Sequence, residues 1–245
     1  MRLAGQAALV TGAGRGIGRA VALALAREGA GVALAARTAH ELEAAEKELR
    51  EAGAATLVVP TDVTDEAAVT ALAARTHERF GRLDVLVNAA GAAAFAPVAE
   101  LRVADWDRVL AVNLRGAALC CRAVLPAMMA AGRGTILSIG SVVTSRTLPG
   151  SAAYTASKYG LLGFSRVLAE EARAHGIRVG VLTAGATDTP LWDAVPGAPE
   201  RSRMLTPEQV AEAAVLMVAL GPNAALEELT LLPAGGILQP GRPLL

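Results

Sequence analysis

Seven short apolar runs, AALVT (7–11), GVALAA (31–36), TLVVP (56–60), LDVLVN (83–88), GTILSI (134–139), IRVGVLT (177–183) and LTLLP (229–233), alternate with longer stretches of helical character. The helical stretches lie near 16–28, 38–52, 65–80, 105–131, 152–175 and 207–219. Gly29, Gly53, Gly81, Gly132 and Gly176 fall at their ends, where glycine favours termination. Continuous apolar strands joined by crossover helices form a parallel sheet covered on both faces. The expected fold class is therefore α/β, a doubly wound Rossmann fold with a seven-stranded parallel sheet flanked by helices. Its ligand crevice should lie beyond the carboxyl ends of the strands. No Ser- or Pro-rich linker and no internal repeat interrupts the alternation, so residues 1–245 are read as one domain.

The first strand runs directly into TGAGRGIGRA, which places Gly12, Gly14, Gly16 and Gly18 between a strand and an Ala/Leu-rich helix. Glycine there permits positive φ, lets the backbone approach a pyrophosphate and lets the helix pack closely on the sheet. The helix N-terminus offers free N–H groups to the anion. Position after strand one of a βαβ unit turns a weak motif into a dinucleotide-binding expectation, with Arg15 and Ile17 in the same turn. An acidic residue at the end of the second strand would accept bonds from the ribose hydroxyls of NAD. The sequence has ALAARTAHE instead, with Ala36 at that position, Arg37 and Thr38 next, and the first acid, Glu41, only on the following helix. Arg15 and Arg37 facing a missing carboxylate suit a 2′-phosphate, which favours NADP(H).

Bulk properties narrow the partners. The 23 acidic and 23 basic residues cancel, leaving no electrostatic footprint for nucleic acid. A small-molecule substrate is expected. His40, His77 and His175 lack metal-ligand spacing, so no metal is expected. The adjacent Cys120 and Cys121 read as buried thiols rather than a disulfide framework, which fits a reducing cytoplasm. The N-terminus lacks a signal-peptide pattern, and no uninterrupted apolar stretch reaches the length of a membrane span, so no membrane association is expected.

From residue 5 to about 238 the chain resembles the short-chain dehydrogenase/reductase family, in its compact single-domain branch. The likeness rests on TGAGRGIG (11–18), DV (62–63), NAAG (88–91), Asn113, Ser141 and YTASK (154–158), in order and with the family's spacing. The resemblance implies a catalytic tetrad of Asn113, Ser141, Tyr154 and Lys158. It also implies Asp62 and Val63 near the adenine, and Asn88, Ala89 and Gly91 along the cofactor cleft. Reduction of 3-oxoacyl thioesters on acyl carrier protein is common among chains of this kind.

Chemistry explains why a chain with only two lysines, Lys47 and Lys158, keeps one here. An i, i+4 pair shares one helix face, so Lys158 can reach the site of Tyr154. A phenol titrates near pH ~10 and needs a neighbour that favours its phenolate before it can act as a base at neutral pH. A compact ammonium is expected to provide this and also to bond the nicotinamide ribose, which a bulkier guanidinium would do poorly. Ser141 at the end of the fifth strand would hold the substrate oxygen, whereas Ser138 should sit within the strand. Asn113, an awkward residue inside helix 105–131, is expected from the resemblance to hold a water in a proton relay.

After the sixth strand TAGATDTP replaces the family's usual Pro with Ala184, which frees φ and adds a donor, while Gly185 and Thr189 remain in their cofactor positions. The Pro-rich segment 189–207 is the expected substrate lid, with Trp192 either a pocket wall or an anchor of the flap. Helices 105–131 and 152–175 are apolar around much of their circumference, and the family resemblance implies a homotetramer, or a homodimer, through them. The expected function is NADP(H)-dependent hydride transfer to or from a carbonyl or secondary alcohol. A sugar or polyol dehydrogenase is one alternative, and a non-catalytic NADP(H)-binding regulatory protein is another.

Overall fold

The computed structural model describes residues 1–193, 195 and 197–238. Positions 194 and 196 of the expected lid, and 239–245 of the chain read as one domain, lie outside the described residues. The elements are β1 (Ala7–Thr11), α1 (Gly16–Arg27), β2 (Gly31–Ala36), α2 (Ala39–Glu51), β3 (Thr56–Pro60), α3 (Glu66–Phe80) and β4 (Val85–Asn88). They continue with α4 (Val103–Leu110), α5 (Gly116–Ala131), β5 (Gly134–Ile139), α6 (Ala152–Arg173), β6 (Ile177–Ala184), α7 (Pro207–Val218) and β7 (Glu228–Leu231). The strands form one parallel seven-stranded sheet in the order β3-β2-β1-β4-β5-β6-β7. The order reverses between β1 and β4, and a switch of this kind opens a crevice at the strands' carboxyl ends.

Alternation along each strand sends side chains to two cores. Val10, Leu34, Val85 and Val87 join Leu25 of α1, Leu42 of α2 and Val215 of α7 on one face. Leu9, Ala33, Leu86 and Ile136 join Leu72 of α3, Val124 of α5 and Leu168 of α6 on the other. The expected glycine stops hold: Gly81 (φ 70°) and Gly132 (φ 64°) end α3 and α5 in the left-handed region, where a Cβ is strained.

Several elements differ from the expected boundaries by one or two residues, and one expected helix is divided. β4 begins at Val85 rather than residue 83, and β7 runs over Glu228–Leu231 rather than 229–233. The helix expected over 105–131 begins at Val103 and is divided by a π-helical turn, Ala111–Arg115, centred on Asn113. The helical run Val103–Ala131 is also long and apolar enough, by length and composition, to cross a membrane, although charged residues interrupt its apolar sequence. Its apolarity has a place in the fold, since Cys120, Cys121, Val124 and Met128 pack beneath the sheet.

Candidate active site

A cavity of about 280 Å³ lies along the carboxyl edge of the sheet, running from the Gly-rich turn to Tyr154 and Lys158. Its floor depends on missing side chains. Gly12 has φ 66°, and a Cβ there would come within 2.8 Å of the Ala89 carbonyl and the Ala90 backbone. A Cβ on Gly18 would meet the Gly12 carbonyl at 2.2 Å, so only glycine lets α1 begin this close to the turn. The helices on the chain are not all started alike. Asp65 caps α3 by accepting from Ala67 N (2.9 Å) and Ala68 N (3.2 Å), and Thr206 with Gln209 forms a capping box on α7. α1 has no side-chain cap and no acidic residue in its first turn, so its leading N–H groups remain available to an anion. The turn and the cavity thus fit a dinucleotide pyrophosphate.

Gly12, Gly14, Arg15, Ile17, Gly18, Arg37, Thr38, Asp62, Val63, Ala89, Gly91, Gly185 and Thr189 all line the cavity, as do Ser141, Tyr154 and Lys158. Gly16 does not; its α-carbon faces Thr189, whose Cγ2 would lie 3.2 Å from an added Cβ. Asn88 also departs from expectation. It sits opposite Thr11 and Ser138 in the sheet, and its amide donates to Cys121 Sγ (3.4 Å) and Ser138 Oγ (3.5 Å), towards α5 and away from the cleft. Period-2 alternation accounts for this, because Leu86, two residues earlier, belongs to the α5-side core.

The adenosine end contains an acid that the sequence order concealed. Glu41, in the first turn of α2, lines the cavity and pairs with Arg15, Oε1 to Nη1 3.6 Å. A Cβ on Gly14 would meet Glu41 Oε2 at 3.1 Å and Ala36 Cβ at 3.7 Å. The carboxylate missing from the end of β2 is therefore supplied from α2. Asp62 accepts from Thr64 N (2.9 Å) and Thr64 Oγ1 (2.8 Å). Those bonds lower its pKa, and the charge of Arg37 adds to the effect.

At the other end, Ser141 caps a short 3₁₀ turn, its Oγ accepting from Val143 N at 3.4 Å, while Ser138 lies inside β5. Lys158 is buried, and its Nζ donates to the Ile139 carbonyl at 2.8 Å. Nζ lies 5.7 Å from the centroid of the Tyr154 ring. Desolvation raises the Tyr154 pKa, and the neighbouring Ser141 hydroxyl partly offsets the rise. The expectation that the ammonium would favour the phenolate is thus corrected for this geometry: desolvation penalises the anion more than its neighbours support it. The phenol is protonated at neutral pH. Burial lowers the Lys158 pKa to about 8.

Asn113 stands behind the cleft wall rather than in it. Its Oδ1 accepts from Ala92 N (2.7 Å), and its Nδ2 donates to Ala92 O (2.9 Å) and Ser157 Oγ (2.9 Å). The amide clips the segment that follows β4 onto α6 next to Tyr154 and Lys158. Phe95, Leu148 and Leu191, which motif reading did not pick out, complete the apolar wall beside Tyr154, with the Phe95 and Tyr154 ring centroids 6.5 Å apart. Trp192 both lines the cavity and packs against Ala186, Met204 and Leu238, so wall and anchor are one residue. Arg201 donates to Asp188 (2.5 Å), Asp193 (2.7 Å) and the Thr189 carbonyl (2.9 Å), tying the two ends of the flap together. Among the described residues no cluster of three His, Cys, Asp or Glu is placed to hold a metal ion.

A switch-point crevice, a glycine cradle at a helix N-terminus and a Ser–Tyr–Lys group lining the same cavity define a nicotinamide-dependent oxidoreductase. The short chain dehydrogenase family model matches residues 6–198, and the chain belongs to the short-chain dehydrogenase/reductase family. It is similar to the D-threitol dehydrogenase of Mycolicibacterium smegmatis, at 40% identity over 227 residues, 89% of this chain and 87% of that one. Among solved structures it is similar to a metagenomic short-chain oxidoreductase in complex with NADP, with TM-score 0.84, 36% identity, and 96% and 99% of the two chains covered. It is also similar to a 7α-hydroxysteroid dehydrogenase complexed with NADH and 7-oxo glycochenodeoxycholic acid, with TM-score 0.90, 27% identity, and 98% and 97% covered.

Proposed function

We propose that the protein is an NADP(H)-dependent reductase of carbonyls bearing apolar substituents, reversible towards the secondary alcohol. The reading is carried by one observation: a protonated, half-buried Tyr154 lies beside Ser141 at one end of a cleft whose other end presents Arg15 and Arg37. A nicotinamide held in this cleft would supply the hydride for the carbonyl carbon, or accept it from the carbinol carbon in the reverse direction.

The remaining work falls to the chain's own side chains. Ser141 Oγ donates to the substrate oxygen and fixes its position next to the Tyr154 hydroxyl. Tyr154 delivers its proton to that oxygen as negative charge develops on it, and recovers a proton afterwards. Lys158 holds the nicotinamide ribose and lowers the cost of the transient phenolate. Asn113 holds the Ala92 backbone and supports the relay that returns a proton. Gly12, Gly14, Ile17 and Gly18 would hold the pyrophosphate, Asp62 and Val63 the adenine, and Gly185 and Thr189 the nicotinamide.

Phe95, Leu148, Leu191 and Trp192 at the substrate end support an apolar substituent, with the 189–207 segment as lid over a single functional unit. The name of the threitol dehydrogenase supports a second reading, a polyol dehydrogenase. Exposed Val103, Met129, Tyr159 and Val167 support a homotetramer assembled through the α4–α5 and α6 faces, and two free buried thiols support a cytoplasmic location.

The test follows NADPH and NADH absorbance with cyclic ketones, 3-oxoacyl thioesters and keto sugars, with Tyr154→Phe as control. NADPH-dependent turnover of the ketones, lost in the variant, is expected. Preference for keto sugars would move the assignment to the polyol reading, and tight NADPH binding without turnover would support the regulatory alternative.

A further inference from the structure

We infer that Glu41 sets the choice between the two nicotinamide dinucleotides, by holding Arg15 until a 2′-phosphate displaces it and by receiving the ribose 2′-hydroxyl when no phosphate is there. The inference rests on the dinucleotide reading above and adds a residue to it. Ala36 ends β2 without a carboxylate, yet Glu41 brings one to the same corner, packed over Gly14 and next to Ala36. Its side chain is 26% exposed, that of Arg15 64%, so the acid is the more enclosed of the two and the guanidinium the more open to solvent.

The two ligands make opposite demands on this corner. A ribose 2′-hydroxyl is a donor and finds an acceptor in the carboxylate. A 2′-phosphate is a dianionic acceptor; it competes with Glu41 for Arg15 and is repelled by Glu41 itself. Arg37 is drawn on as well, since Asp62 lies within its electrostatic reach. The corner therefore contains two cations and two anions, and it accepts NADH as well as NADPH. The cations favour the phosphate, and Glu41 limits how far they do so.

Glu41→Gln keeps the shape and the packing over Gly14 but removes the charge. Dissociation constants for NADPH and NADH, read from nicotinamide fluorescence without any substrate, are the measurement. Partly exposed charges a few ångströms apart are worth up to about a fivefold change in affinity. The variant should bind NADPH about fivefold more tightly and NADH at least twofold more weakly, and the NADPH gain should shrink as salt rises. Because both ligands are measured on one preparation, a partly unfolded sample weakens both and leaves their ratio unchanged. Arg15→Ala should weaken NADPH and spare NADH.

An affinity ratio within twofold of the parent overturns the proposal. So does looser NADPH binding in Glu41→Gln, which would mean that Glu41 merely orients Arg15 for the phosphate. A parent protein that prefers NADH would overturn the NADP(H) reading alone, because the ratio in the variant still reports on Glu41. A protein that binds neither dinucleotide overturns both.

Discussion

The Lys158 ammonium donates a 2.8 Å hydrogen bond to the carbonyl of Ile139, the last residue of β5, from a position that is only 6% exposed. One neutral acceptor is poor compensation for a buried charge, which is why the pKa falls from 10.5 to about 8. The shift corresponds to about 3 kcal/mol of lost stability at neutral pH. The sign follows from proton counts. Below pH 8 both folded and unfolded chains are protonated and the full cost is present. Between about 8 and 10.5 the folded state releases its proton first, so the cost is progressively relieved.

Lys158→Met retains the stem and removes the charge. Setting about 1 kcal/mol for the lost bond to Ile139 against the relieved burial, the variant should be about 2 kcal/mol more stable than the parent at pH 7, though inactive. Denaturant unfolding at pH 7 and pH 9.5 checks it. The advantage should shrink at the higher pH; a constant difference would mean that Lys158 is not buried as a cation.

Ser141 is the neighbour that opposes the rise in the Tyr154 pKa. Removing its hydroxyl in Ser141→Ala should move that pKa further up. Alcohol oxidation needs the phenolate, so its rate should reach a plateau at higher pH in the variant, while ketone reduction, which uses the phenol, stays level through neutral pH and falls off at a correspondingly higher pH. Turnover should fall about a hundredfold in both directions, through loss of the bond to the substrate oxygen. Paired pH–rate profiles distinguish this from a mere loss of positioning, which would lower both curves without moving either.

The fold was legible because each level of the sequence repeats one message. Apolar runs mark the strands, and glycines with positive φ at 29, 53, 81, 132 and 176 mark where chains leave helices. Ser141, Tyr154 and Lys158 were expected from the family resemblance, and one cavity brings the three together. Glu41 was not, because its place depends on how α2 rolls against the Gly-rich turn, a tertiary fact that linear distance hides. The π turn at Asn113 was hidden for a related reason: local propensity favours an unbroken helix there, and the amide's three bonds to Ala92 and Ser157 select otherwise. The orientation of Asn88 could have been read from strand alternation, but the motif drew it towards the cleft.

Asn113→Ala would leave the half-buried Ala92 N–H and carbonyl without their partner, while the Ser157 hydroxyl would keep only its bond to the Tyr154 carbonyl. The cost should be about 2 kcal/mol of stability. Because the clip also holds the backbone that follows Gly91 at the cofactor cleft, the dissociation constant for NADPH should rise about tenfold. Thermal unfolding and fluorescence titration test the two effects together, and a destabilised variant with unchanged NADPH affinity would confine Asn113 to scaffolding.

Arg178 offers the sharpest test of what holds the edge of the sheet. From β6 its guanidinium donates to the carbonyls of Val218 (3.1 Å), Leu220 (2.8 Å), Gly221 (3.2 Å) and Ala224 (3.1 Å), and to Thr135 Oγ1 (2.8 Å). These carbonyls belong to the end of α7 and the chain that leads from it into β7, where unpaired acceptors and the negative end of the helix dipole both favour a cation. Arg178→Met should therefore cost about 2–3 kcal/mol, with amide exchange rising first over Glu228–Leu231, the strand this chain delivers. Arg178→Lys separates charge from geometry. One ammonium cannot span Thr135 and four carbonyls, so it should recover less than half of the loss. Full recovery by lysine would show that charge at the helix terminus, and not the planar fork, fastens β7 to the sheet.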